Sequence, residues 1–121
     1  MRVLIYTVIW IGAMSMGAQA ARNVRAGRAL AIEACAACHQ VTPNQKPRLP
    51  VFNPEEYANV VAPPFNAIAK KYARRSLALR RFILAPVHPM PEQNWDPTDL
   101  TAVVAFIQSL VRPAPMLRRA P

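Results

Sequence analysis

Cys35-Ala36-Ala37-Cys38-His39 is the stretch that decides how the rest of this chain is read. It contains both cysteines of the 121 residues. Cysteines this close cannot staple distant parts of a chain, so they are not the disulfide framework common in small exported domains. Upstream, a helical pattern runs from about Val24 to Ala37, with Val24, Gly27, Ala31 and Ala34 on one face and Leu30 beside them. Downstream, residues 40–62 are rich in Pro, Asn and Gln and read as an irregular loop. That loop contains one candidate helical turn at Pro54-Glu55-Glu56-Tyr57, where proline suits the first helical position.

Three further helices follow. The second begins at Pro63-Pro64 and puts Phe65, Ile68 and Tyr72 on one face, with Lys71, Arg74 and Arg75 on another. Ser76 reads as the N-cap of the third, whose apolar positions are Leu77, Leu79, Phe82, Ile83 and Leu84. A proline-rich loop, residues 85–95, leads to the fourth. There Asp96 is a cap, Pro97 suits the first helical position and Asp99 adds negative charge to the first turn. Leu100, Val103, Val104, Ile107, Leu110 and Val111 recur at helical spacing, and Arg112-Pro113 is the stop. No β alternation or internal repeat is visible. The expected fold class is therefore all-α: about four helices joined by long proline-rich loops. The domain occupies residues 21–112, and 113–121 form a flexible tail.

The first twenty residues read as an export leader, a signal peptide over 1–20. Arg2 supplies a positive start, Val3 to Met14 an apolar run, and Ala18-Gln19-Ala20 the small residues of a cleavage site, placing the cut after Ala20. The alternative is an uncleaved membrane anchor, for which the run is short against the roughly 18 apolar residues of a span. Cleavage would leave one glycine, Gly27, one tryptophan, Trp95, two methionines, Met90 and Met116, and all 13 prolines. Loops must then turn on proline, which fixes φ and lowers the entropy lost on folding. The formal charge of +9 admits nucleic acid, an anionic membrane or an acidic protein as partner. Export argues against nucleic acid and for a periplasmic or secreted location. The densest basic group is Lys70, Lys71, Arg74, Arg75, Arg80 and Arg81, readable as a solvated helix face or as a docking patch.

The Cys-x-x-Cys-His spacing is the attachment sequence of c-type haem. Two thiols add to two vinyl groups on one porphyrin edge, and the following histidine, His39, is brought beneath the iron. Ala36 and Ala37 leave room for the ring edge. A thioredoxin-like pair would also use Cys-x-x-Cys, but near a βαβ pattern. A structural zinc on Cys35, Cys38, His39 and His88 would need wider ligand spacing than Cys38-His39 offers. Met90 is the candidate for the second axial position. Its soft sulfur favours Fe(II), and prolines on both sides brace its loop. His88 competes for the same role, and Met116 lies in the tail. A chain of about 100 residues buries roughly two-thirds of its surface, and these long loops weaken the core, so a haem would fill its centre.

These residues resemble the class I monohaem c-type cytochromes over nearly the whole of residues 21–112. Gly27 stands where the family commonly carries glycine so that the first and last helices cross closely. Phe106, in Ala105-Phe106-Ile107-Gln108-Ser109-Leu110, stands where an aromatic packs against the first helix. Ala62-Pro63-Pro64-Phe65 is similar to the family's proline segment, which implies that the Pro63 carbonyl orients His39. Val87-His88-Pro89-Met90-Pro91 is similar to its distal-ligand loop, which implies that Met90 is the sixth ligand. Residues 40–62 are longer than in compact members, leaving the propionate contacts open among Arg48, Tyr57 and Trp95. The resemblance implies a non-enzymatic electron carrier with one covalent haem c, cofactor-binding residues Cys35, Cys38, His39 and Met90, and iron ligands His39 and Met90. Its partners would be redox proteins with acidic docking surfaces. The alternatives are a haem c subunit of a periplasmic dehydrogenase or oxidase complex, and a gas-binding or peroxide-active haem with an open sixth site.

Overall fold

Helix formation near the C-terminal end follows directly from local chemistry. In a computed structural model, which describes the backbone of residues 3–46 and 61–111 and the side chains from residue 17 onward, the last helix spans Pro97–Ser109. Asp96 lies just outside it in extended conformation, and the Thr98 N–H donates to its carboxylate at 2.8 Å. Pro97 occupies the first turn, where its missing N–H costs nothing. Leu100, Ala102, Val103, Val104, Phe106 and Ile107 are buried. The helix ends at Ser109, before Arg112-Pro113, and Leu110 is left 40 % exposed.

The first helix, α1, spans Val3–Ala34, starting well before Val24 and stopping three residues short of Ala37. Ala20, at the end of the leader, and Ala21-Arg22 after it are strong helix formers with no proline to break them. At the other end the chain leaves the helix to form the turn at residues 35–38. Helix α2 is Phe65–Lys71, α3 is Ser76–Leu84, and the C-terminal helix is α4. Ser76 does not cap α3. The cap position belongs to Arg75, without a side-chain hydrogen bond, because Arg74 takes a left-handed φ of 58° and the chain enters the helix one residue early. Downstream of residue 20 only Gly27 could adopt that conformation freely, so α2 and α3 are joined through an arginine that bears its cost. The turn expected at residues 54–57 and the tail 113–121 lie outside the described residues.

The architecture is all-α, with no strand among the described residues. Helices α1, α2 and α3 each pack on α4, the α1 contact being by far the most extensive. A single core joins Ala31, Val41, Phe65, Ala69, Leu79, Ile83, Leu100, Val103, Val104, Phe106 and Ile107. Side-chain hydrogen bonds tie the other helices to α4. Arg80 donates to the Thr101 hydroxyl at 2.9 Å, and Gln108 donates to the Tyr72 carbonyl at 2.7 Å. Among the described residues no helix is long and apolar enough to cross a membrane.

Gly27 sets the separation of α1 and α4. It is buried, and a Cβ added there would fall on the Ala102 carbonyl and press on the Val103 nitrogen. Alanine would add about 1 kcal/mol of helix preference, yet it would force two backbones apart, an overpacking that costs about 1–3 kcal/mol or more. Gly27→Ala is therefore expected to lower the thermal midpoint, followed by circular dichroism, by roughly 5–15 °C.

Candidate functional site

The site begins where α1 stops. The Cys35 N–H still donates to Ala31 O at 2.9 Å, and then the N–H groups of Cys38 and His39 both turn back to Cys35 O, at 3.1 and 2.9 Å. This last turn carries both cysteines and the histidine out of the helix in quick succession. Gln45 holds it from outside, its amide donating to Ala36 O at 3.2 Å. Both cysteines are half-buried and are not joined to each other in a disulfide. In the chain before any attachment, burial first, and the neighbouring Cys38 second, push the Cys35 thiol up to about 11.

His39 is held on two sides. Its Nδ1 lies 2.8 Å from the Pro63 carbonyl. A carbonyl only accepts, so Nδ1 carries the hydrogen and Nε2 keeps its lone pair. The expected role of Pro63 as acceptor thus has its geometry. The next contact along, Phe65 N–H to Gln40 O at 2.9 Å, doubles the clamp between residues 39–40 and 63–65. Pro63 and Pro64 stiffen that segment. Phe65, buried at the start of α2, meets the imidazole edge-on at 5.6 Å and an angle of 62°, and its other neighbour is Phe106 of α4 at 6.2 Å.

Cys35, Cys38 and His39 line a cleft of about 700 Å³, counting its open mouth. All four helices contribute to its wall: Ala34 from α1, Ile68 from α2, Leu79, Phe82 and Ile83 from α3, and Val103 and Ile107 from α4. The wall is aliphatic and aromatic, with few polar groups, as suits a large flat organic cofactor. Met90 reaches the same cleft from the 85–96 loop. Its N–H donates to Val87 O at 3.1 Å in a turn flanked by Pro89 and Pro91, and its side chain is half-buried. His88 is exposed and is not among the lining residues. The structure therefore brings Cys35, Cys38, His39 and Met90 to one cleft and keeps His88 out of it.

The other ligand chemistries find no support. Among the described residues no group of three or more His, Cys, Asp or Glu is placed to hold a metal ion, so the zinc set of Cys35, Cys38, His39 and His88 is not assembled. A thioredoxin-like site would need a sheet, and the described residues have none. Arg48 and Tyr57 lie outside the described residues, whereas Trp95 lines the cleft, and so does Gln93. Gln93 escaped the sequence reading. No local signal marked it, since its place depends on how the 85–96 loop lies against the helices.

The chain matches the cytochrome c family model over residues 24–111, from the middle of α1 to just past α4. No curated protein and no solved structure matches it.

Phe65 connects the histidine to the core, so its loss should be felt in both. Phe65→Ala is expected to cost about 3–5 kcal/mol in denaturant unfolding, with the His39 ring losing its fixed orientation in NMR spectra.

Proposed function

Since the chain belongs to the cytochrome c family, we propose that it is an exported one-electron carrier in which Cys35 and Cys38 hold the haem, and His39 and Met90 bind its iron. Members of the family bind covalently attached haem c, and that is the cofactor of this chain. Bound there, the group supplies a one-electron iron couple. The observation that carries the reading is the convergence of Met90 and His39, from segments fifty residues apart, on a cleft edged by both cysteines.

The chain's residues have distinct tasks. Cys35 and Cys38 would each add across a vinyl double bond, sulfur to one carbon and the thiol hydrogen to the other, and so hold the group by thioethers. The Pro63 carbonyl holds the proton on His39 Nδ1, leaving Nε2 free to ligate and fixing the ring angle. Met90 contributes a soft thioether that favours the reduced metal and raises the potential. The aliphatic wall, Leu79, Ile83, Val103 and Ile107 above all, excludes water from the site. With His39 and Met90 both engaged, the site would suit electron transfer without bond chemistry. The leader pattern of residues 1–20 supports export to the periplasm or beyond, with cleavage after Ala20. Redox proteins are the partners, and the basic residues favour acidic surfaces on them.

A second reading, a haem subunit of a dehydrogenase or oxidase complex, is favoured by one observation. Val61 and Val87, at 86 % and 71 % exposure, flank the segments that carry Pro63 and Met90. Large apolar side chains there would suit a lasting partner, and co-purification of a second subunit with the native protein would establish it.

The absorption spectrum of the purified protein is expected to show c-type bands on reduction and, when oxidised, a weak far-red band from sulfur ligation. Met90→Ala should abolish that band and open the reduced protein to carbon monoxide. Rapid carbon monoxide binding by the wild type, unchanged in the mutant, would remove Met90 as ligand. The Cys35→Ala/Cys38→Ala chain, lacking the attached group, is expected to lose cooperative melting, and a sharply melting, well-protected apoprotein would show that the four helices suffice as a core.

A further inference from the structure

Residues 57–91 contain no aspartate or glutamate and six of the chain's cations: Lys70, Lys71, Arg74, Arg75, Arg80 and Arg81. Helix α3 lies in the middle of this span and is two-sided. Its inner face, Leu79, Phe82 and Ile83, lines the cofactor cleft. Its outer face carries Leu77, Arg81 and Leu84, which at spacings of four and three share one stripe. Leu77 is 70 % and Leu84 50 % exposed, and Arg81 is exposed between them.

The surrounding charges are ordered differently. Arg80 is half-buried and turned to Thr101. Arg74, Arg75 and Arg81 are exposed, and none of them pairs with an acid among the described residues. Lys71 sits over the Tyr72 ring at 5.4 Å, and that ring packs on Phe82 of α3 at 6.1 Å, which brings a further cation to the flank of the helix. Two exposed leucines beside cations that pair with no acid among the described residues match a surface that sets carboxylates around an apolar centre.

We propose that the outer face of α3, with Leu77, Arg81 and Leu84 along its centre and Arg74 and Arg75 at its N-terminal end, is the docking surface for an acidic redox protein. The inference rests on the carrier reading above and adds to it the place of contact. A partner seated there is separated from the cleft by one helix, a thickness of about 10–12 Å. Arginine suits such an edge because its planar fork engages carboxylates with two hydrogen bonds at once.

The test uses the full haem-loaded protein and reduced flavodoxin, an acidic one-electron donor, as probe in stopped flow. Arg75→Glu/Arg81→Glu is compared with Arg22→Glu/Arg25→Glu, which makes the same change in net charge on exposed positions of α1. At about 10 mM ionic strength the α3 pair is expected to slow reduction at least roughly tenfold and the α1 pair less than about twofold. At about 0.5 M salt the difference should largely vanish, while Leu77→Ser should still slow reduction several-fold. Thermal melts of each variant confirm that it is folded. Equal slowing by the two charge pairs, or slowing by neither, overturns the α3 site, as does a wild type that flavodoxin does not reduce. Dithionite reduction of all four proteins reads the carrier function separately. If the wild-type haem does not cycle, the carrier reading falls and the docking surface falls with it.

Discussion

The close crossing of α1 and α4 at Gly27 is the constraint from which the site follows. With no side chain between them, the α1 backbone lies against the Ala102 carbonyl, and the two helices share their longest contact. That contact fixes where α1 ends relative to α4. Because Ala34 is followed at once by the turn of Cys35–Cys38, fixing the end of α1 also fixes the thiols and His39 at the edge of the cleft. A side chain at residue 27 would move the whole attachment segment away from Val103 and Ile107, which form part of the opposing wall.

The histidine shows how rigidity is assembled from weak parts. One hydrogen bond to Pro63 would set its tautomer. The adjacent bond from Phe65 N–H to Gln40 O, the two consecutive prolines and the edge-on Phe65 ring remove the remaining freedom. Phe65 then passes the restraint on to Phe106 in α4. The ligand geometry is thereby tied to the same helix that Gly27 tethers, so fold and site share one support. Met90 belongs to a different class of restraint. It is held by a short turn between prolines and by its place in the cleft wall, with no large hydrophobic anchor of its own.

Helix α3 joins the interior to the exterior. Its inner residues complete the wall of the site, and its outer stripe is exposed within an acid-free stretch of chain. The same nine residues therefore line the cleft on one side and face outward on the other.

Much of this was legible in the residue order, and for local reasons. Capping at Asp96 and Pro97 depends on neighbours within one turn, so α4 could be read at its start to the residue. The spacing of Cys35, Cys38 and His39 carries its chemistry without reference to the fold. Errors arose where a distant or unrecognised constraint intervened. Ser76 lost its cap to Arg75 because Arg74 turned left-handed, and α1 begins well before Val24 because no residue upstream breaks it. Gln93 was missed because its place on the cleft depends on how the 85–96 loop lies against the helices. Sequence alone determined the helical class, the covalent attachment motif and the basic balance, since each rests on short-range spacing or composition. Only the tertiary structure decided that Met90 and not His88 lines the cleft, that Pro63 O meets His39, and which face of α3 is exposed, because those depend on how segments far apart in the chain come to rest against one another.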